Sequence, residues 1–421
     1  MLFALYSAAL TLVAAFLAIR AARLKARQRR SFRIYAAGFG VVFGYLLLEF
    51  AVTAYHGFSW AGTWYLFEES GKTVHFDPIR GYIMTQQPSR WARITNDTVE
   101  FVGWMKGNSQ GFATRRDFGP ARPDDSTRRI GIFGDSFSAG EYIDTNWPDR
   151  AQALADASGG KLQLLSFSLE GIGLANWWSI MTRLVAPQNY QLDGVVFVVF
   201  EWDLERKFWV AENDGFAHTW RRCQSWDPQT YPATVEQARR ECRYGTLEHA
   251  YVLSHDEFEQ ALNKKRPASI PRSELGPMVA AQVFNYFDQW LGELSGVGKA
   301  PGFEPGQKRL IEDIQQFISS RKLPALVVFL PERERLIRST WKTDVYRADT
   351  IAFAQAIGAK FVDGSGAFAN LRPADIRKLF FVLEGHWNQA GSDRFAEFML
   401  DLILRTFPDR LQASGNRSVG P

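Results

Sequence analysis

Residues 129–404 read as an α/β domain on a parallel sheet, broken by an inserted region and preceded by two transmembrane helices. Three observations carry that reading. Short apolar runs at 129–133, 162–167, 194–200 and 325–330 have the length and unbroken apolarity of strands buried on both faces. Helix-like stretches at 150–157 and 175–185 lie between them, and such strand–helix alternation builds parallel sheets with crossover helices. At the amino end, 2–19 carries no charge and 34–55 has Glu49 as its only charge, so each is about long enough to span a bilayer as a helix.

The elements follow in order. Between the two apolar stretches, 20–33 holds seven Lys/Arg and no acid, enough to turn the net charge of +4 into −3 for the remainder. The basic signal therefore belongs to one short loop, and a nucleic-acid-binding face is not supported. A cleaved signal peptide puts its positive charges before the apolar core, whereas here they come after it. The positive-inside rule places this loop in the cytoplasm, so 1–56 is expected to be a transmembrane hairpin with everything after Tyr55 outside. Residues 57–128 form an irregular lead-in of loops and short strands, rich in Gly, Trp, Thr and Arg. The α/β domain occupies 129–204 and 301–410, and 205–300 is the insertion, with an amphipathic helix expected at 279–294 from the spacing of Val283, Phe284, Phe287 and Leu291. Helices at 309–321, 343–357 and 392–404 and a short strand at 360–362 complete the second part. In the last helix, Phe395, Phe398, Met399, Leu402 and Ile403 share a face. The small, polar 411–421 reads as a disordered tail.

A hydrophobic content of 46% with 22% charged residues suits a chain with a real core. Its two cysteines, Cys223 and Cys242, can pair in an oxidising compartment, closing a short loop; two free thiols are the alternative. Their spacing lacks the second pair of a zinc site, and the scattered His and acidic residues offer no metal-ligand set, so neither a metal nor a cofactor is expected.

The chemistry centres on GIFGDSFSAG at 131–140. Ser136 follows an apolar strand and opens a helix, where a serine is either a nucleophile or a helix cap. A nucleophile needs a base. Of six histidines, His56 and His75 lie near the amino-terminal stretches and His218, His249 and His255 in the insertion; His386, in FVLEGHWNQAG, sits beside the core just before its last helix. Ligands bind at the carboxyl ends of parallel strands, where a loop can bring His386 to Ser136. Glu384, two residues before it, can hold the imidazole Nδ1–H.

Gly134-Asp135-Ser136-Phe137 with Gly140, and His386-Trp387-Asn388 with Gly391, resemble the first and last blocks of the SGNH (GDSL-like) hydrolase superfamily. The segments SFSLEGIGLAN at 166–176 and NSQGF at 108–112 resemble its second block and a common lead-in. The resemblance spans about 101–204 and 322–405 in the family's order. It implies a three-layer, flavodoxin-like fold, a Ser136–His386–Glu384 triad, and an oxyanion hole using the N–H groups of Ser136 and Gly171. Two departures stand out. Glu384 replaces the usual Asp, and Trp202, in Phe200-Glu201-Trp202-Asp203, stands where the family's third block has the Asn that donates to the oxyanion.

Membrane-linked members of the superfamily often serve polysaccharide O-acetylation beside a membrane-bound O-acyltransferase. The resemblance thus implies an O-acetyltransferase or acetylesterase on the bacterial cytoplasmic membrane, its main domain periplasmic, acting on an acyl ester of a cell-envelope or exported glycan. Two alternatives stand beside it: a non-catalytic binding or scaffold subunit whose oxyanion hole is lost at Trp202, and a lipase or thioesterase with the same catalytic residues. The tryptophans at 177, 178, 202, 209, 220 and 226 are either a sugar- or acyl-binding cleft or packing residues.

Overall fold

The computed structural model describes residues 2–26, 31–59, 63–69, 74–95, 98–213, 218–245, 250–265, 302–339, 345–382 and 384–407. The expected helix at 279–294 and the tail at 411–421 lie outside them. The chain divides into two units. One consists of Met1–Gly62, Thr95–Asp97 and Asn263–Lys299, the other of the remaining segments.

In the first unit the helices Leu2–Ala26 and Phe32–Ser59 pack against each other, with Gly38 turned to the Leu17 side chain. Among the described residues, however, no helix is long and apolar enough to cross a membrane. This corrects the two transmembrane helices expected from the sequence. Arg20, Arg23 and Lys25 occupy the last turns of the first helix, and Gly38, Gly40 and Gly44 dilute the apolarity of the second, so helix length alone does not make a bilayer span.

The second unit opens with strands where the sequence reads as irregular: β1 (Thr63–Glu68), β2 (Val74–Asp77), β3 (Gly81–Met84), β4 (Ser89–Thr95) and β5 (Thr98–Met105). Their apolar residues are interleaved with Arg, Glu and Thr, which hides them from a search for continuous apolar runs. The core strands follow: β6 (Arg128–Phe133), β7 (Leu162–Ser166) and β8 (Gly194–Phe200). The insertion contributes an antiparallel trio, β9 (Trp209–Asn213), β10 (His218–Arg222) and β11 (Arg243–Gly245), and then β12 (Ala250–Leu253), which pairs in parallel with β1. The lead-in and the insertion, separate in the sequence, thus share one sheet of order β12-β1-β4-β5. Strands β13 (Ala325–Leu330) and β14 (Lys360–Asp363) complete the core.

The core sheet has the order β14-β13-β8-β6-β7, and every pair in it is parallel. Numbered along the chain this is 2-1-3-4-5, the flavodoxin-like order. β6, β8 and β13 are buried at every position, as strands covered on both faces must be. The helices Trp147–Ala157 and Gln389–Thr406 pack together in one covering layer, with the Trp147 and Phe395 rings 5.6 Å apart. Leu174–Ile180, Pro305–Ser320 and Val345–Ala356 form the other, where Phe353 meets Phe197 of β8 edge-on at 5.3 Å.

In the insertion, Cys223 and Cys242 are bonded, joining the end of β10 to the end of the helix Val235–Glu241. The bridge spans 19 residues, so its loss is expected to cost about 3 kcal/mol through the freed unfolded chain. Thermal melts with and without reductant, and of a Cys223→Ser/Cys242→Ser variant, measure this; an unchanged midpoint would mean that the bridge constrains nothing.

Candidate active site

The site grows out of the end of β6. Asp135 caps the four-residue helix Ser136–Ala139, its Oδ1 accepting the Phe137 N–H at 3.0 Å. The capping role therefore falls to Asp135 and leaves the Ser136 hydroxyl free for other work. Gly134 is required because a Cβ there would lie 2.3 Å from Ser138 Oγ, where the chain folds back on itself. Tyr142 donates its hydroxyl to the Ser136 carbonyl at 2.7 Å and so fixes the turn from the far side.

His386 arrives on a loop just before the last helix. Phe380 and Trp387 form an antiparallel bridge, and the Phe381 N–H donates to the His386 carbonyl at 2.8 Å, so the loop is a small hairpin. The Gln389 side chain clasps the backbone of Thr145 in both directions, at 2.9 and 3.0 Å, tying this loop to the segment that follows Ser136. The result is a Ser136 Oγ···His386 Nε2 distance of 2.8 Å and a His386 Nδ1···Glu384 Oε1 distance of 2.5 Å. The second Glu384 oxygen accepts the His386 backbone N–H at 2.9 Å, which makes the carboxylate bidentate on one residue.

Sequence reasoning missed the groups around this line. Phe137 and Tyr142 place their rings 4.4 and 4.5 Å from the imidazole. Arg93 of β4 lies 3.4 Å from Glu384 Oε1 and 3.3 Å from Glu100 of β5, and Glu100 accepts the Glu384 backbone N–H at 3.2 Å. Strands of the lead-in sheet thus hold the triad acid. No local motif marks such residues, because they act across long sequence separations.

Burial lowers the His386 pKa to about 4, with Asp135 and Glu170 opposing the shift and Arg206 and Arg93 assisting it. The imidazole is therefore neutral, as a base must be. Burial and the neighbouring Glu170 push the Glu141 carboxyl well up, and burial together with Asp135, Glu170 and Glu141 does the same to the Tyr142 phenol, keeping it a donor.

Gly171 sits at φ +74°, and a Cβ there would fall 2.8 Å from the Trp209 ring. Its neighbour Ile172 is tied to Asp135 through Arg206, which donates to the Ile172 carbonyl at 3.0 Å and to Asp135 Oδ2 at 3.3 Å. Trp202 is 39% exposed, with its ring packed edge-on against Phe200 and Tyr346. The turn Glu201–Glu205 instead sends Asp203 inward, fully buried, accepting the Phe200 N–H at 2.9 Å, while Glu201 accepts from the Glu332 N–H at 2.9 Å. Among the other tryptophans, Trp177 donates to the Gly134 carbonyl, Trp178 to Asp313 and Trp226 to Glu304, which makes them packing residues with anchored indoles.

The depressed imidazole yields a direct expectation. Followed by NMR in the folded protein, His386 stays neutral down through pH 5 and gains its proton only near pH 4; titration at the ordinary value of 6.5 would contradict the burial described above.

No protein-family model and no curated protein matches the chain. Among solved structures it is similar to an esterase, EstA, from Pseudoalteromonas sp., at 10% identity over 66% of this chain and 97% of that one, with a TM-score of 0.33. It is also similar to a lipase/acylhydrolase from Enterococcus faecalis, at 10% identity over 68% and 99%, with a TM-score of 0.33. A third is AlinE4, an SGNH-hydrolase family esterase, at 11% identity over 71% and 100%, with a TM-score of 0.29. Likenesses this distant leave the placing of the chain to its own geometry. The sheet order is the flavodoxin-like one, and the serine turn and histidine loop meet at the sheet's carboxyl edge, as the sequence resemblance leads one to expect.

Proposed function

We propose that the protein is an extracytoplasmic serine acyl-transfer enzyme, an O-acetyltransferase or acetylesterase acting on a cell-envelope or exported glycan. The assembled Ser136–His386–Glu384 line is the observation that carries this reading. One further feature favours the compartment: the Cys223–Cys242 bridge suits an oxidising one. A cavity of about 410 Å³ beside the Ser136–Ala139 helix is lined by both charged and apolar side chains, Lys106, Arg115 and Asp144 beside Pro88, Trp104 and Ile143, and neither Ser136 nor His386 lines it, so it does not choose between a sugar and an acyl chain.

In this reading Ser136 Oγ attacks the ester carbonyl carbon as His386 Nε2 takes its proton. The carbonyl electron pair moves onto oxygen and is met by the N–H groups of Ser136 and Gly171. Collapse expels the alcohol, which leaves with the proton from His386, and water or a sugar hydroxyl then takes the acyl group by the reverse steps. Glu384 holds the imidazole in the tautomer that accepts at Nε2 and stabilises the imidazolium as it forms. A scaffold role without turnover is disfavoured, since nothing in binding alone calls for a 2.8 Å serine–histidine contact backed by a carboxylate.

Ser136→Ala is expected to abolish both the hydrolysis of 4-nitrophenyl acetate and labelling by a serine-directed fluorophosphonate; labelling that persists in this variant would refute the assignment. Glu384→Gln, which destroys the orienting carboxylate, is expected to lower kcat by roughly 10³–10⁴-fold. A change within an order of magnitude would remove Glu384 from the triad.

A further inference from the structure

With Trp202 packed away from the two backbone donors, the oxyanion lacks the side-chain donor that the third block supplies. We infer that Arg206 provides it, an inference that rests on the acyl-transfer reading above. Arg206 directly follows the turn Glu201–Glu205, at the carboxyl end of β8. Its Nη1 donates to the carbonyl of Ile172, the residue after Gly171, and to the carboxylate of Asp135, the residue before Ser136. A single nitrogen is thus tied to the chain neighbours of both backbone donors. Asp135 Oδ2 is itself 3.3 Å from Ser136 Oγ, so one carboxylate oxygen links the guanidinium to the hydroxyl.

The anchoring is rigid. Asp203 Oδ1 lies 3.2 Å from the same nitrogen, and this acid is fully buried. The first carbons of the Arg206 side chain press on the backbone at Gly173, where a Cβ would meet Arg206 Cβ at 2.6 Å. A guanidinium is a planar fork, so fixing one nitrogen fixes the direction of the rest. Nε and Nη2 make no hydrogen bond to any described residue, and the side chain keeps 18% exposure. Arg206 therefore holds unspent N–H groups on an edge that solvent, and hence substrate, can reach. In the tetrahedral intermediate one of them donates to the oxyanion beside the N–H groups of Ser136 and Gly171, and the bond relaxes when the carbonyl re-forms.

The competing view is that Arg206 only neutralises Asp135 and Asp203. The two separate in kinetics of the full chain with 4-nitrophenyl acetate. For Arg206→Ala and Arg206→Lys we expect kcat to fall by about 100-fold or more with KM nearly unchanged, and added guanidinium to restore part of the rate in Arg206→Ala. A purely structural role would lower the melting temperature but leave kcat of the folded protein within about threefold, which overturns the inference. Because Arg206→Ala strands two buried acids, Asp135 and Asp203, the variant Arg206→Gln/Asp203→Asn, which removes one of them with the arginine and leaves an amide to donate to Asp135, is read in the same way. A crystal structure of the fluorophosphonate-labelled wild type decides the matter without any variant. A phosphonyl oxygen about 3 Å from an Arg206 nitrogen supports the inference, and one beyond hydrogen-bond reach overturns it. If the wild type neither labels nor turns over ester, the acyl-transfer reading itself has failed; if it does both while the variants keep their kcat, only the role of Arg206 has.

Discussion

The hydrogen bond between Ser136 and His386 joins residues 250 positions apart, and the arrangement of the sheet-bearing unit serves to make it possible. A parallel sheet delivers the carboxyl ends of all its strands to one edge. The turn after β6 brings the serine there, and the loop before the last helix brings the histidine. Both are held by backbone-directed contacts: Tyr142 on the Ser136 carbonyl, the Gln389–Thr145 clasp, and the Phe380–Trp387 bridge. Each fixes main chain rather than the reacting side chains, so the catalytic groups inherit their geometry from the scaffold and need no strain of their own.

Around this line the protein sets a dry, acidic environment. Asp135, Glu141 and Asp203 are buried close to it, and the rings of Phe137 and Tyr142 lie within 4.5 Å of the imidazole. Low solvation works in two ways here. It keeps the histidine neutral and able to accept a proton, and it raises the cost of any carboxylate left without a partner. Arg206 answers that cost for Asp135 and Asp203, and Arg93 lies beside Glu384 and Glu100. Charges that balance the acids are thereby placed where they can also act on the reaction.

The lead-in strands and the insertion are the least expected parts of this architecture. β1 and β12 pair in parallel although nearly two hundred residues separate them, and β4 and β5 of the same sheet present Arg93 and Glu100 to the triad acid. What reads as two peripheral additions to an α/β core joins in the sheet β12-β1-β4-β5, which touches Glu384. Deletions that spare every motif residue would still release Glu384 from its support.

Much of this was legible in the residue order. Continuous apolar runs announced β6, β7, β8 and β13, because strands covered on both faces carry no alternation to hide them. GDSF and HWN with its following glycine announced the nucleophile and the base, because turns and caps demand particular residues at fixed offsets. Short strands were expected in the lead-in, but their positions at 63–105 were not legible, since half-exposed strands dilute their apolar signal with charge. The amino-terminal helices misled, since an uncharged run read along the sequence does not establish a span long and apolar enough for a bilayer. Trp202 stood out in the sequence as a departure, but aligning a motif by position says which residue occupies a slot, not which way a one-turn helix aims it. Local residue order therefore marked the core strands and singled out Ser136 and His386, the pair that the fold brings together. The donors and counter-charges around them, Arg206, Arg93, Glu100 and Tyr142, emerged only from the folded chain, because their roles are set by distances between segments remote in sequence, and such distances exist only once the sheet has gathered its edges.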